Sequence, residues 1–316
     1  MRARSPVVFF INGIGDHVLA LPALRGLGRL YGSTLTIVGA EFAEESFLRP
    51  IAAGRVITVE MLDGPIGRHF DAADVAARIG ECDLLVSLNP WHSEAVDDLL
   101  ARVKPRRSVG FFPGFTTVLP LDFDMHSADL AFSPARFLDD TLTLEDFAQP
   151  PALPARASRR AATLRSMLPG AAKVLAVHAD THHTKMWPAE TIRRGIHEFL
   201  EWRPDYWAFV VGWHDIRLEL GSCADRVIAC CGTPLETSMA IVSAADLFCG
   251  VDSSMLHVAD LCRVPTVGLF RATNPREFGC RFARHQHLDL SCDGDAIAAG
   301  LLDLSVPAPA AGAAVV

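Results

Sequence analysis

Short apolar runs alternate with segments of helical periodicity along almost the whole chain. The runs have the length of buried strands, and the periodic segments repeat apolar residues three and four positions apart. Strands are predicted at Val7–Ile11, Leu35–Val38, Arg55–Val59, Cys82–Leu88, Ser108–Phe112, Val174–His178, Ala208–Gly212, Arg226–Ala229, Ala244–Gly250 and Thr266–Phe270. Helices are predicted at Val18–Leu30, Phe42–Leu48, Asp71–Ile79, Ser93–Val103, Ser127–Leu144, Glu190–Trp202, Arg217–Ala224, Leu235–Ala244, Met255–Leu261 and Ala296–Leu304. The alternation predicts an α/β fold in which parallel sheets carry helices on both faces.

Loop and proline signals divide this pattern into two halves. The segment Gln149–Arg160 is rich in proline, alanine and arginine and is predicted to be a linker. We therefore expect an amino-terminal domain at residues 1–150, a carboxyl-terminal domain at residues 160–305 and a disordered tail at residues 306–316. Pro22 is predicted to shorten or kink the first helix. The segment Phe115–Asp124 is predicted to be a loop.

Composition limits the classes of function without choosing one. With 316 residues, 50% of them hydrophobic and 21% charged, the chain is typical of a globular protein of two domains. The formal net charge of −8 gives no sign of a nucleic-acid-binding surface. Charged residues interrupt every apolar stretch that could span a membrane, and the run after residues 1–6 is too short for a signal peptide. We expect a cytoplasmic protein without a transmembrane segment.

The eight cysteines include no CxxC pair. Several lie in apolar runs, which favours buried thiols in a reducing compartment. A metal cluster of Cys223, Cys230 and Cys231 is the weaker alternative. No metal is expected at His182 and His183, because adjacent side chains are expected to point apart and no carboxylate is spaced to complete a site.

The first candidate binding site is the turn Val251-Asp252-Ser253-Ser254, between a predicted strand and a predicted helix. Asp252, Ser253 and Ser254 are all suited to cap the helix, and such a cap without a ligand is the simpler interpretation. A helix start also presents backbone N–H groups and the positive end of the helix dipole, which favours a phosphate or diphosphate. His257 lies one turn further and can face the same place.

Two other stretches carry candidate chemistry. The turn Asn12–His17 (NGIGDH) joins the first strand to the first helix, but it lacks the third glycine of a dinucleotide-binding fingerprint. Asp16 stands at the start of that helix, where an N-cap is the simpler interpretation. Lys185 precedes the helix at Glu190–Trp202, and a cation there opposes the helix dipole. An anion bound between the lysine and the helix would remove this conflict, and a solvated lysine is the alternative.

Three stretches together resemble glycosyltransferase family 9, the ADP-heptose:lipopolysaccharide heptosyltransferase type. They are NGIGDHVLALPALRGL, VHADTHHTKMWPAE and LETSMAIVSAADLFCGVDSSMLHVADLCRVPTVGLFRATNP. In the third stretch the family typically has Asp, then Ser or Thr, then Gly, with two residues between that Gly and a His. Further along it typically has Gly-Pro-Thr, followed by Asp-Pro or Asn-Pro. The resemblance implies the GT-B fold, in which two Rossmann-like domains with parallel sheets face each other across a cleft.

The resemblance also implies an activity and a set of site residues. The family transfers a sugar, a heptose or a related one, from a nucleotide-diphospho donor such as ADP-heptose to a hydroxyl acceptor, with inversion and without metal or another cofactor. The implied catalytic residues are Asp16, as general base, and Lys185, at the donor phosphates. The donor-binding residues would be Thr181, Lys185, Gly212, Asp215, Thr233, Leu235, Asp252, Ser253, Ser254, Met255 and His257. The acceptor-binding residues would be Asn12, Gly13, Gly15 and His17.

The chain departs from the family pattern at two places. Ser254 stands where the family has glycine, and Arg271-Ala272 stands where it has Gly-Pro. The acceptor side of the amino-terminal half is also short and lacks an evident basic patch for a lipid A–core acceptor, which favours another acceptor such as a soluble natural product, a peptide or a protein. The acceptor itself is not identified, and a glycolipid, a natural product and a protein all stay open. A catalytically degenerate GT-B protein that binds or assembles is the alternative to an enzyme. An epimerase of GT-B type is a third reading, but it would need further acid and base residues that the sequence does not clearly supply.

Overall fold

The computed structural model describes residues 3–64, 67–213 and 221–306, with the side chains of residues 62–68 left out. The chain divides into two units, Met1–Ala152 and Leu153–Val316. Each unit contains a six-stranded sheet, and every neighbouring pair of strands in both sheets is parallel. The predicted α/β class is therefore confirmed.

Unit 1 has the strand order β3-β2-β1-β6-β7-β8, and β4 and β5 form a separate antiparallel pair. Its strands are β1 (Pro6–Phe10), β2 (Thr36–Ala40), β3 (Arg55–Val59), β4 (Leu62–Gly64), β5 (Gly67–His69), β6 (Leu84–Ser87), β7 (Arg107–Gly110) and β8 (Thr117–Val118). Its α-helices are α1 (Ile14–Tyr31), α2 (Ala72–Ile79), α3 (Glu94–Val103) and α4 (Ser127–Leu138). Short 3₁₀ segments lie at Gly32–Thr34, Glu41–Ala43 and Glu145–Phe147, and one π turn lies at Glu44–Leu48.

Unit 2 has the strand order β11-β10-β9-β12-β13-β14. Its strands are β9 (Lys173–His178), β10 (Tyr206–Val210), β11 (Val227–Ala229), β12 (Leu247–Val251), β13 (Thr266–Leu269) and β14 (His285–Leu288). Its α-helices are α5 (Ala155–Ser166), α6 (Ala189–Trp202), α7 (Leu235–Ser243), α8 (Ser254–Leu261), α9 (Pro275–Phe278) and α10 (Gly294–Ser305), with 3₁₀ segments at His183–Lys185 and Gly221–Arg226.

Buried strands and amphipathic helices explain these layers. All five residues of β1 and all five of β12 are buried, as expected for central strands of a parallel sheet covered on both faces. In unit 2, α6 and α10 pack against the sheet through Ile192, Phe199 and Leu301, all within one core cluster. Burial of such side chains contributes roughly 25 cal/mol per Å² of apolar surface, and this outweighs weak local preferences.

Several local predictions are wrong. Helix α1 continues past Pro22 to Tyr31 instead of ending early, because its apolar face is buried on both sides of the proline and one lost hydrogen bond does not end it. The loop predicted at Phe115–Asp124 contains β8, which pairs with β7. The predicted linker Gln149–Arg160 is helical from Ala155, because alanine and arginine favour helix once the prolines have passed. The sequence analysis also missed β4, β5, α9 and β14.

Each sheet has one place where the chain connections leave in opposite directions. In unit 1 it lies between β1 and β6, and in unit 2 between β9 and β12. The carboxyl ends of the strands at such a point form a crevice in which α/β proteins commonly bind ligands. The turn Asn12–His17 follows β1, and the turn at Asp252 follows β12, so both predicted sites fall at these two places.

Candidate functional site

The turn after β12 leads into α8 without a side-chain cap. Ser253 is the N-cap residue and is extended (φ −163°, ψ 175°), but its hydroxyl makes no capping hydrogen bond. The interpretation of this turn as an ordinary side-chain cap is therefore wrong. In the described part of the chain, the Ser253 side chain therefore does not cap the backbone N–H groups at the start of α8, where the positive end of the helix dipole lies.

A buried carboxylate organises this turn. Asp252 is 1% exposed, and its Oδ2 accepts hydrogen bonds from Lys185 Nζ at 2.7 Å and Thr273 Oγ1 at 2.6 Å. Its main-chain carbonyl accepts a hydrogen bond from Thr181 Oγ1 at 3.1 Å. Its Oδ1 lies 3.7 Å from His257 Nε2, which is longer than a hydrogen bond. Two loops and α8 thus converge on one aspartate, which fixes Lys185 beside the start of the helix.

Lys185 is held but not enclosed. Its side chain is 29% exposed, and its Nζ lies 5.5 Å from the centre of the Phe278 ring. The anion that compensates this lysine is Asp252 of the same chain, so the position of the lysine does not by itself require a bound ligand. An ammonium group has three N–H donors, and the described residues use one of them, at Asp252. The others can reach a ligand at the start of α8.

Other predicted donor residues follow neighbouring strands at the same edge of the sheet. Thr181, Gly212 and Thr233 come shortly after the ends of β9, β10 and β11. Gly232 N donates to Gly212 O at 2.9 Å, which ties the loops after β10 and β11 together. Thr233 Oγ1 donates to Cys230 O at 2.9 Å. The fold therefore brings these residues to the edge that carries Asp252.

The rest of the predicted donor set differs in accessibility. Leu235 is the first residue of α7 and is half-buried. Met255 and His257 are buried in α8. The hydroxyl oxygen of Ser253 is buried and finds no partner among the described residues, which leaves a polar atom unsatisfied at the turn. Asp215, predicted at the ribose, lies outside the described residues, as do most of the helix predicted at Arg217–Ala224 and residues 307–316 of the predicted tail.

The two departures from the family pattern fit the local structure. Ser254 is the first residue of α8 and is not among the described non-glycine residues with positive φ, so its Cβ imposes no backbone strain. Arg271 Nη1 donates to Met186 O at 2.8 Å. Arg271 therefore anchors the backbone of Met186, the residue after Lys185. Thr273, in the same family motif, belongs to the site although the sequence analysis did not select it.

In unit 1, the turn after β1 holds a carboxylate at a helix start. Gly13 is the N-cap of α1, with no side-chain cap, and Asn12 Oδ1 accepts from Gly13 N at 2.9 Å. Asp16 is half-buried in the first turn of α1, and a Cβ on Gly13 would lie 3.1 Å from Asp16 Oδ2. The glycine thus lets the carboxylate lie close to the backbone of the turn. Gly15 precedes it in the same helical turn.

His17 lies beneath this turn rather than on its surface. It is fully buried, its Nδ1 donates to Gly13 O at 2.9 Å, and its ring packs edge-on against Phe10. Burial lowers the pKa of His17 from 6.5 to about 4, against the opposing effect of its backbone hydrogen bonds. A neutral, enclosed imidazole can position the turn, and its predicted contact with an acceptor would require it to be uncovered.

Asn89 joins the unit 1 turn although the sequence analysis did not select it. It follows β6, is 1% exposed, and its Oδ1 accepts from Ile11 N at 3.1 Å. Asn89 therefore links the residue that follows β1 to the end of the neighbouring strand, β6. The signal in the sequence was an Asn-Pro pair directly after an apolar run, which only the strand order places next to Asn12.

One group of possible metal ligands occurs among residues 3–64, 67–213 and 221–306, and it comprises His197, Glu201 and Cys223, with ligand atoms within 4.8 Å of one another. Arg226 Nη2 donates to Cys223 Sγ at 3.2 Å, which places a positive charge against the sulfur and opposes cation binding. The weaker alternative of the sequence analysis, a cluster of Cys223, Cys230 and Cys231, does not form within these ranges, and all eight cysteines are free thiols.

The side chains of His182 and His183 do not point apart as expected, because their ring centroids are only 4.1 Å apart. His182 directly precedes the 3₁₀ segment that begins at His183. They still belong to no group of possible metal ligands in the described part of the chain.

Two further observations bear on the setting of the site. A cavity of about 770 Å³ lies at the amino ends of β1, β6 and β7, lined by Ala3, Asp83 and Arg106 among others, at the opposite edge of the unit 1 sheet from Asp16. It is therefore separate from the crevice at the switch point.

In the described ranges, no helix combines the length and the apolar character needed to cross a bilayer. The cytoplasmic location stays a prediction.

Comparisons with known proteins agree with the resemblance. The model of glycosyltransferase family 9 (heptosyltransferase) matches residues 137–292, about half of the chain. The curated proteins give no match.

Among solved structures, the glycosyl transferase family 9 protein from Veillonella parvula DSM 2008 is 19% identical, with a TM-score of 0.77 over 95% of this chain and 96% of that chain. The ADP-heptose lps heptosyltransferase II of E. coli is 14% identical, with a TM-score of 0.69 over 94% and 98%. The iron-containing dodecameric glycosyltransferase TibC from enterotoxigenic E. coli H10407 is 13% identical, with a TM-score of 0.55 over 93% of this chain and 67% of that chain. At these identities the solved structures establish a shared fold, which is GT-B.

Proposed function

Because this chain is a glycosyltransferase of family 9, we propose that it transfers a heptose or a related sugar from a nucleotide-diphospho donor of the ADP-heptose type to a hydroxyl group. The transfer inverts the anomeric centre and uses no metal or other cofactor. The observation that carries this proposal is the Lys185–Asp252 pair at the uncapped start of α8. The ADP-heptose lps heptosyltransferase II of E. coli, which has the same fold, supports the donor class by its name.

The donor diphosphate would lie against the start of α8. Backbone N–H groups of Ser254 and Met255 would face one phosphate, and the spare N–H donors of Lys185 would face the other. Asp252 neutralises part of the charge of Lys185 but fixes the ammonium group in place, so little side-chain entropy is lost when the donor binds. Thr181 and Thr273 hold Asp252 from two sides and act through it.

The proposed chemistry assigns one role to the turn in each unit. Asp16 takes the proton of the acceptor hydroxyl as that oxygen forms a bond to the anomeric carbon. The bond from that carbon to the diphosphate oxygen breaks on the opposite face, and the electron pair leaves with the nucleoside diphosphate. Charge grows on the leaving diphosphate, where Lys185 and the dipole of α8 stabilise it without reorganisation. Gly13 and Asn12, together with Gly15 and His17, shape the turn that presents Asp16 to the acceptor.

The test is a thermal-unfolding panel with ADP, GDP, UDP, CMP and the matching nucleotide sugars. A ligand that binds only the folded protein raises its unfolding temperature by mass action. We expect one nucleoside diphosphate to stabilise the wild-type protein and the Lys185→Ala variant to lose that shift. Lys173→Ala is the matched control, because Lys173 also faces an aspartate, Asp205, but at the amino end of β9.

The competing proposal is a degenerate GT-B protein that binds or assembles without transferring sugar. It predicts no release of nucleoside diphosphate from any donor by the purified protein, with each acceptor class (glycolipid, natural product or protein) supplied in turn. Release of the diphosphate that depends on an acceptor would exclude it. Absence of any shift in the nucleotide panel would overturn the enzymatic proposal.

A further inference from the structure

The loop after β10 presents a tryptophan to solvent at the edge of the unit 2 sheet that carries the candidate donor site. The side chain of Trp213 is 81% exposed, the highest exposure among the large hydrophobic residues described. Leaving an aromatic side chain of this size in water forgoes the free energy that its burial would supply. A flat aromatic group left open beside a ligand crevice is typical of a surface on which another planar group stacks.

The backbone that carries Trp213 is fixed rather than loose. Trp213 N donates to Asp180 Oδ2 at 2.9 Å. The peptide before it is anchored as well, because His178 Nδ1 donates to Val211 O at 2.9 Å. Gly212 has φ of 148°, and a Cβ at that position would lie 3.2 Å from Asp180 Cβ. The turn therefore requires glycine, both for its dihedral angle and for its close approach to Asp180.

The same contacts place Trp213 between the two parts of the predicted donor site. Asp180 is followed directly by Thr181, whose hydroxyl donates to Asp252 O at 3.1 Å. On the other side, Gly212 O accepts from Gly232 N at 2.9 Å, next to Thr233. Trp213 thus stands between the turn suited to phosphate and the residues predicted near the base.

We propose that Trp213 is the stacking surface for the nucleobase of the donor, with the Asp180 carboxylate holding its backbone in place. This inference rests on the proposed function, because it assigns the base subsite of the same donor site. Stacking accepts any planar base, so Trp213 supplies affinity for the nucleoside and leaves the choice of base to other groups. Inorganic diphosphate has no base and does not use this surface.

The experiment combines affinity with tryptophan fluorescence. Wild-type protein, Trp213→Ala, Trp213→Phe and Trp202→Ala are titrated with ADP, and separately with inorganic diphosphate. Trp202 is the matched control, because it is 69% exposed at the last position of α6. We expect Trp213→Ala to weaken ADP binding on the order of tenfold and to leave diphosphate binding unchanged. Trp213→Phe should keep most of the affinity, because a phenyl ring also stacks, but should lose the fluorescence quenching that ADP causes in the wild type.

The outcomes separate this inference from the proposed function. If ADP binds in a manner that needs Lys185, yet Trp213→Ala and Trp202→Ala bind it equally, the stacking role is overturned and the donor site stands. Equal weakening of ADP and diphosphate in Trp213→Ala also overturns it, because the loss would then be one of loop structure. If no nucleotide binds the wild-type protein, the donor site and the stacking surface are both rejected.

Discussion

The turn from β1 to α1 and the turn from β12 to α8 occupy equivalent places in their two sheets but carry different chemistry. Both lead into a helix with no side-chain cap. In the first, a carboxylate, Asp16, stands in the opening turn of the helix. In the second, the carboxylate is withdrawn into the protein as Asp252 and paired with Lys185, so that a cation faces the helix start.

This difference shows how one local structure can serve two purposes. A helix start favours negative charge, whether that charge belongs to the protein or to a ligand. Where the protein supplies its own carboxylate, as at Asp16, the turn suits a group that accepts a proton. Where a lysine stands beside the helix start, as in unit 2, the turn suits a bound anion. The following predictions would break or sharpen this contrast.

The largest effect is expected from removing the carboxylate of the unit 1 turn. Asp16→Asn should slow sugar transfer on the order of 10² to 10⁴-fold while stabilisation by the nucleoside diphosphate stays at the wild-type level. The measurement is the rate of diphosphate release with an acceptor that the wild-type protein glycosylates. Asp74→Asn, at the first turn of α2, is the control and should leave the rate unchanged. An undiminished rate in Asp16→Asn would remove this residue from the mechanism.

The Lys185–Asp252 pair should combine a binding effect with a structural one. Lys185→Met leaves a buried carboxylate without its cation, so we expect a loss of about 2 kcal/mol in unfolding free energy and a loss of nucleotide binding. The double variant Lys185→Met, Asp252→Asn removes the unpaired charge and should recover most of the stability without recovering nucleotide binding. Chemical denaturation and calorimetric titration measure the two quantities separately. Recovery of binding in the double variant would show that the lysine serves only the fold.

The histidine beneath the unit 1 turn predicts a pH dependence. The pKa of His17 is lowered to about 4 in the folded protein, whereas its ordinary value is 6.5. The unfolded chain therefore binds the proton first. The contribution of neutral His17 to the unfolding free energy is complete above pH 6.5 and is lost as the pH falls toward about 4. This contribution amounts to about 3 kcal/mol.

The slope of unfolding free energy against pH between 6.5 and 4.5 should therefore be smaller in His17→Leu than in the wild type. His183→Asn is the control for the loss of a histidine, because His183 is exposed. His178 contributes in the same direction in all three proteins, because burial lowers its pKa as well. Identical slopes in His17→Leu and the wild type would contradict the expectation.

The smallest effect is expected at the departure from the family pattern in unit 2. Ser254 needs no left-handed backbone, so Ser254→Gly should cost less than about 1 kcal/mol of unfolding free energy and change nucleotide affinity by less than about twofold. Thermal unfolding with and without ADP measures both. A large gain in affinity would mean that the side chain of Ser254 obstructs the diphosphate, and the two turns would then differ in access as well as in charge.

The sequence by itself determined the elements and the turns. Apolar runs and helical periods predict most strands and helices to within a few residues, and Arg55–Val59 has the same bounds in the structure. The family model matches residues 137–292, which contain the second and third motif stretches, and each of these stretches consists of residues close in sequence. Local signals succeed here because a buried strand between two turns needs apolar residues whatever its neighbours are.

Only the tertiary structure decided which of these turns meet and what lies beneath them. Lys185 and Asp252 are 67 positions apart, and their pairing depends on β9 and β12 being neighbours, which no periodicity specifies. The same holds for Asn89 at the end of β1 and for the burial of His17, which the sequence presents as an ordinary polar residue in a turn. Strand order sets these contacts, because it determines which carboxyl ends share an edge of the sheet.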